Sequence, residues 1–280
     1  MSLPSRWLVL AWVATVVVTD SLHAGDANVA KPVNLEKVNT DADEDDPHVN
    51  GDFLWYASNK AGTFDLLLSR RTGGTWVAGK PVFNDTDADE RSPFYFAKLN
   101  TLYFATNKVP DDFKKDQNFD IKSREAERQP LPLLGITEKT DELHPWVAAG
   151  GKEFYFSRKV DKDWVLFVAN GPATPPIGKA KEVGFPPGFH HATLTGSGLL
   201  MYLQGPLENE RWGIFRSKRA KVGAKWSMPE PLTALNHPKG KRGDMSPCVT
   251  ADNARLYYVS DRPGGKGGLD IWSVATAQLK

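Results

Sequence analysis

The residues with the clearest chemical potential recur at fixed positions around a proline. The residue directly before each proline position carries a polar side chain in all five copies: Asp46, Ser92, His144, His191 and Ser246. Two histidines and an aspartate could ligate a transition metal if folding brought them together. No His-x-x-x-His or paired-cysteine spacing supports this, and such residues usually cap turns. The sequence therefore predicts neither a metal nor any other cofactor.

Acidic residues stand three positions before four of these prolines. They could form a crown of carboxylates for a cation or a basic partner, or each could pair with a base that follows the next aromatic segment. The pairs would be Glu44 with Lys60, Glu90 with Lys108, Glu142 with Lys159, and Asp244 with Arg262. The degenerate fourth copy has Phe189 and Pro206 at the two positions. This joint loss favours structural pairs, since an unpaired buried charge is costly while replacing both partners is nearly neutral.

The elements that carry these residues repeat along the chain. The five proline-equivalent positions, 47, 93, 145, 192 and 247, are 46, 52, 47 and 55 residues apart. Each copy holds four strand-like pieces, the second of which is an aromatic run such as 54–60, LWYASNK. Four-stranded units at this period are typical of propeller blades. The sequence predicts an all-β, five-bladed β-propeller over residues 25–280, with blades near 47–82, 93–134, 145–185, 192–232, and 247–275 together with 29–35.

The phase of the repeats predicts how the ring closes. The chain ends on a third strand, residues 269–274, with no fourth strand behind it. Residues 29–35 resemble the fourth-strand pieces of other copies. We expect this N-terminal strand to complete the last blade, because an unpaired sheet edge is usually avoided.

The last copy carries a family resemblance. Ser246 and Pro247, followed by 256–272 (LYYVSDRPGGKGGLDIW), resemble the TolB-type, WD-like propeller repeats of bacterial cell-envelope proteins. The resemblance covers nearly all of the chain after residue 24 and is weakest in the fourth copy. It implies an extracytoplasmic propeller that acts by binding, and it does not imply a reaction.

Departures from the symmetry of the ring indicate where a specific ligand would bind. His190 and His191 mark the odd fourth copy, so these two residues, His144 and Asp46 are the candidate ligand-binding residues. We expect a non-enzymatic scaffold that recognises a protein, peptide or glycan on one ring face. No catalytic residue is predicted.

The alternative is an arabinanase-like glycoside hydrolase, with Asp46 as base and Glu142 as acid. That chemistry needs two carboxylates separated by about 5–5.5 Å or 6.5–9.5 Å. The acids here belong to the repeat itself, whereas a catalytic set would be unique to particular blades. This favours the scaffold.

Export is predicted from the N-terminus. Arg6, an apolar run over residues 7–18 and the small residue Ala24 have the order of a signal peptide, here residues 1–24. We expect a periplasmic or secreted monomer, with no membrane span after removal of the signal and an envelope or extracellular partner. The balance of 35 basic and 34 acidic residues argues against a nucleic-acid partner.

Overall fold

The fold is known from a computed structural model that describes residues 30–83, 88–107, 118–125, 131–132, 136, 139–148, 150–171 and 177–279. The predicted signal peptide, Lys108 and most of the loop that follows it lie outside the described residues. The strands, in chain order, are β1 (Val33–Asn34), β2 (Glu44–Asn50), β3 (Phe53–Ser58), β4 (Asp65–Thr72), β5 (Thr75–Trp76), β6 (Lys80–Pro81), β7 (Glu90–Phe96), β8 (Thr101–Thr106), β9 (Asp120–Glu125), β10 (Leu131–Pro132), β11 (Glu142–Ala148), β12 (Glu153–Val160), β13 (Asp163–Asn170), β14 (Ala180–Glu182), β15 (His190–Leu194), β16 (Leu200–Pro206), β17 (Trp212–Lys218), β18 (Glu230–Pro231), β19 (Asp244–Val249), β20 (Arg255–Ser260) and β21 (Asp270–Ala275). Two single-turn 3-10 helices span Ala97–Leu99 and Thr276–Gln278. Among the described residues no helix is long and apolar enough to span a membrane.

The strands form five antiparallel sheets, and these are the five predicted blades. Blade 1 is β2-β3-β4 with β5 and β6 both paired to β4, blade 2 is β7 to β10, blade 3 is β11 to β14, blade 4 is β15 to β18, and blade 5 is β19-β20-β21-β1. The innermost strands contact one another in sequence, and β19 returns to contact β2. The molecule is therefore a closed five-bladed β-propeller, as the repeats predict.

The ring closes through the N-terminal strand. Val33 lies opposite Ser273 and Asn34 opposite Trp272, so β1 supplies the missing fourth strand of blade 5. The Asn39 amide extends this closure, because its Nδ2 donates to the Ile271 carbonyl at 2.9 Å and its Oδ1 accepts the Ile271 N–H at 2.8 Å. The predicted closure is confirmed.

The core lies between neighbouring blades. Tyr56, Tyr103, Tyr155 and Tyr258, one from the second strand of each of four blades, are among the largest fully buried side chains. Full burial of a large apolar side chain contributes about 1.5–3 kcal/mol. Because each blade is apolar on both faces, it is stable only between its neighbours. This requirement holds the five inner strands around a common axis.

Candidate functional site

The five polar residues before the proline positions share an unusual backbone conformation. Asp46, Ser92, His144, His191 and Ser246 have φ between 49° and 57°. At the same point the pairing of the first and second strands shifts register in every blade. Each inner strand thus carries a β-bulge, a feature that redirects a side chain and occurs often beside functional sites. The bulges place these five positions around the ring axis.

The axial side chains border a small cavity of about 20 Å³. Its lining includes Asp46, Ser92, His144 and His191, together with prolines from four of the inner strands. A cavity of this size accommodates one water molecule or one ion. The fold therefore brings together at one place polar side chains that the sequence separates by as much as 145 residues, from Asp46 to His191.

Asp46 is the centre of this cluster. Its Oδ2 accepts hydrogen bonds from the backbone N–H and the hydroxyl of Ser92, at 3.0 and 3.1 Å. Its Oδ1 lies 3.7 Å from His144 Nε2 and 3.7 Å from His191 Nδ1. Burial, reinforced by the neighbouring Asp45 carboxylate, raises the pKa of Asp46 to about 7. Because this pKa is close to neutral pH, a cation or other group on the axis can change the charge of the Asp46 carboxyl.

The two axial histidines are stacked on each other. The ring centroids of His144 and His191 are 3.8 Å apart and their planes differ by 18°. Burial, and the proximity of other histidines, lowers the pKa of His144 well below its usual value. Burial likewise lowers the pKa of His191 to about 3. Both rings are therefore neutral at pH 7 and offer nitrogen lone pairs.

His190 occupies a different environment from the other three predicted ligand-binding residues. Its Nδ1 lies 2.9 Å from the Gly188 carbonyl, and its ring stacks on Trp164 and meets Trp212 edge-on. Burial lowers the pKa of His190 to about 4. The structure thus brings Asp46, His144 and His191 together and places His190 in the packing between blades.

The predicted acid–base pairs are present in part. Asp244 pairs with Arg262 at 2.7 Å, in a nearly fully buried contact. Glu142 pairs instead with Arg158 at 3.0 Å, which corrects the predicted pairing with Lys159. Glu142 and Arg158 are opposite each other in the sheet, and side-chain alternation sends Lys159 to the other face, 3.7 Å from Asp141.

The acids of the first two blades differ again. Glu44 accepts hydrogen bonds from the hydroxyls of Thr40 at 2.7 Å and Ser58 at 3.0 Å, while Lys60 is exposed, so here too the predicted basic partner is corrected. Glu90 is buried, and Lys108, its predicted partner, lies outside the described residues. In the described blades these acids serve polar contacts within their own blade and do not form an open crown.

A much larger cavity opens on the axis where the inner strands end. This funnel, about 740 Å³ in volume, is lined by the ends of β2, β7, β11, β15 and β19 and by the turns that follow them. Aromatic residues Phe94, Tyr95 and Trp146 contribute to its wall. His48 and Trp146 line both the funnel and the small axial cavity, so the two lie end to end.

Sequence reasoning missed the charged lining of the funnel. Lys98 and Arg255 contribute positive charge, Arg71 is paired with Asp52 at 2.9 Å, and Asp252 is the one acidic side chain among the described lining residues. Lys98, Asp252 and Arg255 lie in or beside the short turns between first and second strands. The charged residues of these turns are visible in the sequence when the five repeats are aligned, but only the closed ring shows that the turns face one another.

The fold and its axial cavities define a class: a five-bladed β-propeller with a candidate binding site along the ring axis. No protein-family model and no curated protein sequence matches the chain. Solved structures with a similar fold include an α-L-arabinofuranosidase from Podospora anserina, with 9% identity, coverage of 89% of this chain and 94% of that one, and a TM-score of 0.55. A thermostable family-43 glycoside hydrolase has 9% identity, coverage of 86% and 92%, and a TM-score of 0.59.

TolB from Acinetobacter baumannii is also similar, with 13% identity and a TM-score of 0.51. The match covers 88% of this chain and 54% of TolB, so the chain spans about half of the TolB length. At these identities the likeness shows the fold alone. TolB and glycoside hydrolases thus share this propeller fold.

Proposed function

We propose that this protein is an exported, non-enzymatic scaffold that binds a protein, peptide or glycan in the axial funnel. The observation that carries the proposal is the funnel itself, built from the turns of all five blades. Its volume of about 740 Å³ falls within the range of about 300–1,000 Å³ typical of ligand cavities. Its excess of basic over acidic side chains favours a ligand with anionic groups.

The second candidate is a glycoside hydrolase, which the fold of the arabinofuranosidase and the family-43 enzyme supports. A carboxyl with a pKa of about 7, like that of Asp46, would also suit the general base that this alternative requires. Two observations weigh against it. The Asp46 side chain is only 2% exposed, and Glu142 is fully buried in its pair with Arg158. Neither carboxyl is open to a sugar in the funnel.

Two assays separate these candidates. The purified protein is incubated with aryl glycosides of several sugars, and in parallel applied to arrays of defined glycans and of synthetic peptides that include acidic sequences. We expect no hydrolysis and specific retention on at least one array. Hydrolysis that is abolished by Asp46→Asn would establish the enzyme and overturn the scaffold. A complete lack of retention on every array would also overturn the scaffold.

A further inference from the structure

The axial cluster brings together donor atoms from three blades that are distant in sequence. Asp46 comes from blade 1, His144 from blade 3 and His191 from blade 4. One donor atom from each lies within 4.8 Å of the other two. Bulged strands with positive φ hold all three residues, so the backbone brings their side chains to the same place on the axis.

The two oxygens of Asp46 are used differently. Oδ2 accepts from the backbone and hydroxyl of Ser92 and lies 3.5 Å from Arg91 Nε. Oδ1 faces the two histidine nitrogens. The Ser246 hydroxyl lies 3.5 Å from this oxygen but donates its shorter hydrogen bond, 2.6 Å, to Asp45. Arg91 makes its own closest contact to Asp45, also at 2.6 Å. Arg91 thus contacts Asp45 and the Oδ2 atom of Asp46, while Oδ1 of Asp46 faces the two histidines.

The histidine nitrogens that face Asp46 are also available. His191 Nδ1 is buried and has no hydrogen-bond partner among the described residues. The other ring nitrogen of His144, Nδ1, lies 2.9 Å from the Ser157 hydroxyl, whose oxygen also accepts the backbone N–H of His191 at 3.0 Å. Histidines that bind metals usually make such a hydrogen bond with the second nitrogen, which fixes the ring orientation.

The spacing suits a small divalent transition metal. Bonds of about 2.0–2.2 Å to nitrogen and oxygen place neighbouring ligand atoms of a tetrahedral site about 3.4 Å apart. The two separations of 3.7 Å from Asp46 Oδ1 exceed this value by a few tenths of an ångström, and all three donor atoms lie within 4.8 Å of one another. The stacked rings of His144 and His191 would have to turn toward the ion for both lone pairs to reach it. The adjoining cavity of about 20 Å³ has room for the ion or for the water that completes its coordination.

We propose that Asp46, His144 and His191 form a binding site for a divalent transition-metal ion of the zinc type, which joins blades 1, 3 and 4 at the ring axis. The two imidazole nitrogens and one carboxylate oxygen are donors that zinc accepts, whereas calcium and magnesium prefer sites made of oxygen ligands. The proposal is independent of the ligand in the funnel and of whether the protein is an enzyme.

The test is metal binding by the purified protein after chelator treatment and removal of the chelator. We expect about one Zn²⁺ per chain by calorimetry and elemental analysis, a higher Tm with Zn²⁺, and no comparable effect of Ca²⁺. Asp46→Asn combined with His144→Gln should weaken Zn²⁺ binding by more than about 100-fold, since loss of a single supporting contact around a metal already costs about 10–100-fold.

The control is His237→Gln, which replaces a half-buried histidine outside the axial cavity whose Nδ1 lies 3.1 Å from the Lys239 carbonyl. It should bind Zn²⁺ as the parent does. Where the double variant fails to fold, NMR of the parent decides: Zn²⁺ must shift the ring nitrogens of His144 and His191 and leave the half-buried His237 unchanged. Any of three results would overturn the site. These are a folded parent that fails to bind Zn²⁺, NMR signals of His144 and His191 that do not shift, and a folded double variant that binds Zn²⁺ as tightly as the parent.

Discussion

Asp45 and Asp46 are adjacent in the chain, yet their carboxyl groups are in opposite electrostatic settings. Burial opposes ionisation of both, but Arg91, 2.6 Å from Asp45, lowers the pKa of Asp45 below its usual value. The pKa of Asp46 is raised instead, because burial and the charge of Asp45 outweigh its weaker contact with Arg91. The side chains of successive strand residues point to opposite faces of the sheet. The bulge at Asp46 redirects its carboxyl toward the ring axis.

Glu90 offers a test of pH dependence away from the axis. Burial, with Asp65 and Asp89 nearby, raises the pKa of Glu90 to about 7 from an ordinary value of 4.5. The folded protein therefore binds a proton that the unfolded chain releases between these pH values, so the contribution of Glu90 to stability falls as pH rises from about 4.5 to 7. We expect Glu90→Gln to become more stable relative to the parent across this interval, by a several-fold change in the unfolding equilibrium.

Urea unfolding at pH 5, 6, 7 and 8 measures this difference. Glu182→Gln, at an exposed position in the outer strand of blade 3, is the control and should show no trend. A difference between Glu90→Gln and the parent that stays constant from pH 5 to 8 would contradict the raised pKa.

The strands were largely predictable, because the repeated proline and the aromatic run that follows it mark the first two strands of each blade. The partners of the repeated acids were less so. Arg262 reaches Asp244 from two residues beyond the end of β20, whereas Arg158 lies within β12, directly opposite Glu142. A linear alignment treats Arg262 and Lys159 as equivalent, but they occupy different strand positions. Register therefore decides the partner, and register was not evident from the spacing.

Asn39 provides the test of the strand that closes the ring. Its side chain is 3% exposed and satisfies both the N–H and the carbonyl of Ile271 in β21. Leaving such buried groups with fewer partners costs about 1–3 kcal/mol each. We expect Asn39→Ala to lower the free energy of unfolding by about 2–4 kcal/mol in a denaturant titration.

Asn50→Ala is the comparison for Asn39→Ala, since Asn50 is a half-buried asparagine at the end of β2. It should change stability by no more than about 0.5 kcal/mol, as is usual for surface positions. Equal effects of the two substitutions would show that the contact between Asn39 and β21 does not fasten the ring.

The complete ring produces what no single repeat contains. The candidate residues Asp46, His144 and His191 could be selected from the sequence, because they break the symmetry of the repeat. Their mutual distances could not, since these depend on how five blades close around one axis. The funnel was unpredictable for the same reason: Lys98 and Arg255 are more than 150 residues apart in the chain and line one cavity only after closure.

The proposed scaffold function depends on binding at the funnel, and paired charge reversals test it most directly. Lys98 lines the funnel, whereas Lys162 is exposed in the turn between β12 and β13. Parent, Lys98→Glu and Lys162→Glu proteins are compared on the peptide and glycan arrays. We predict that Lys98→Glu weakens retention of the anionic ligands by about tenfold or more, equivalent to about 1.4 kcal/mol, while Lys162→Glu binds as the parent does. Equal retention by all three proteins would contradict recognition in the funnel.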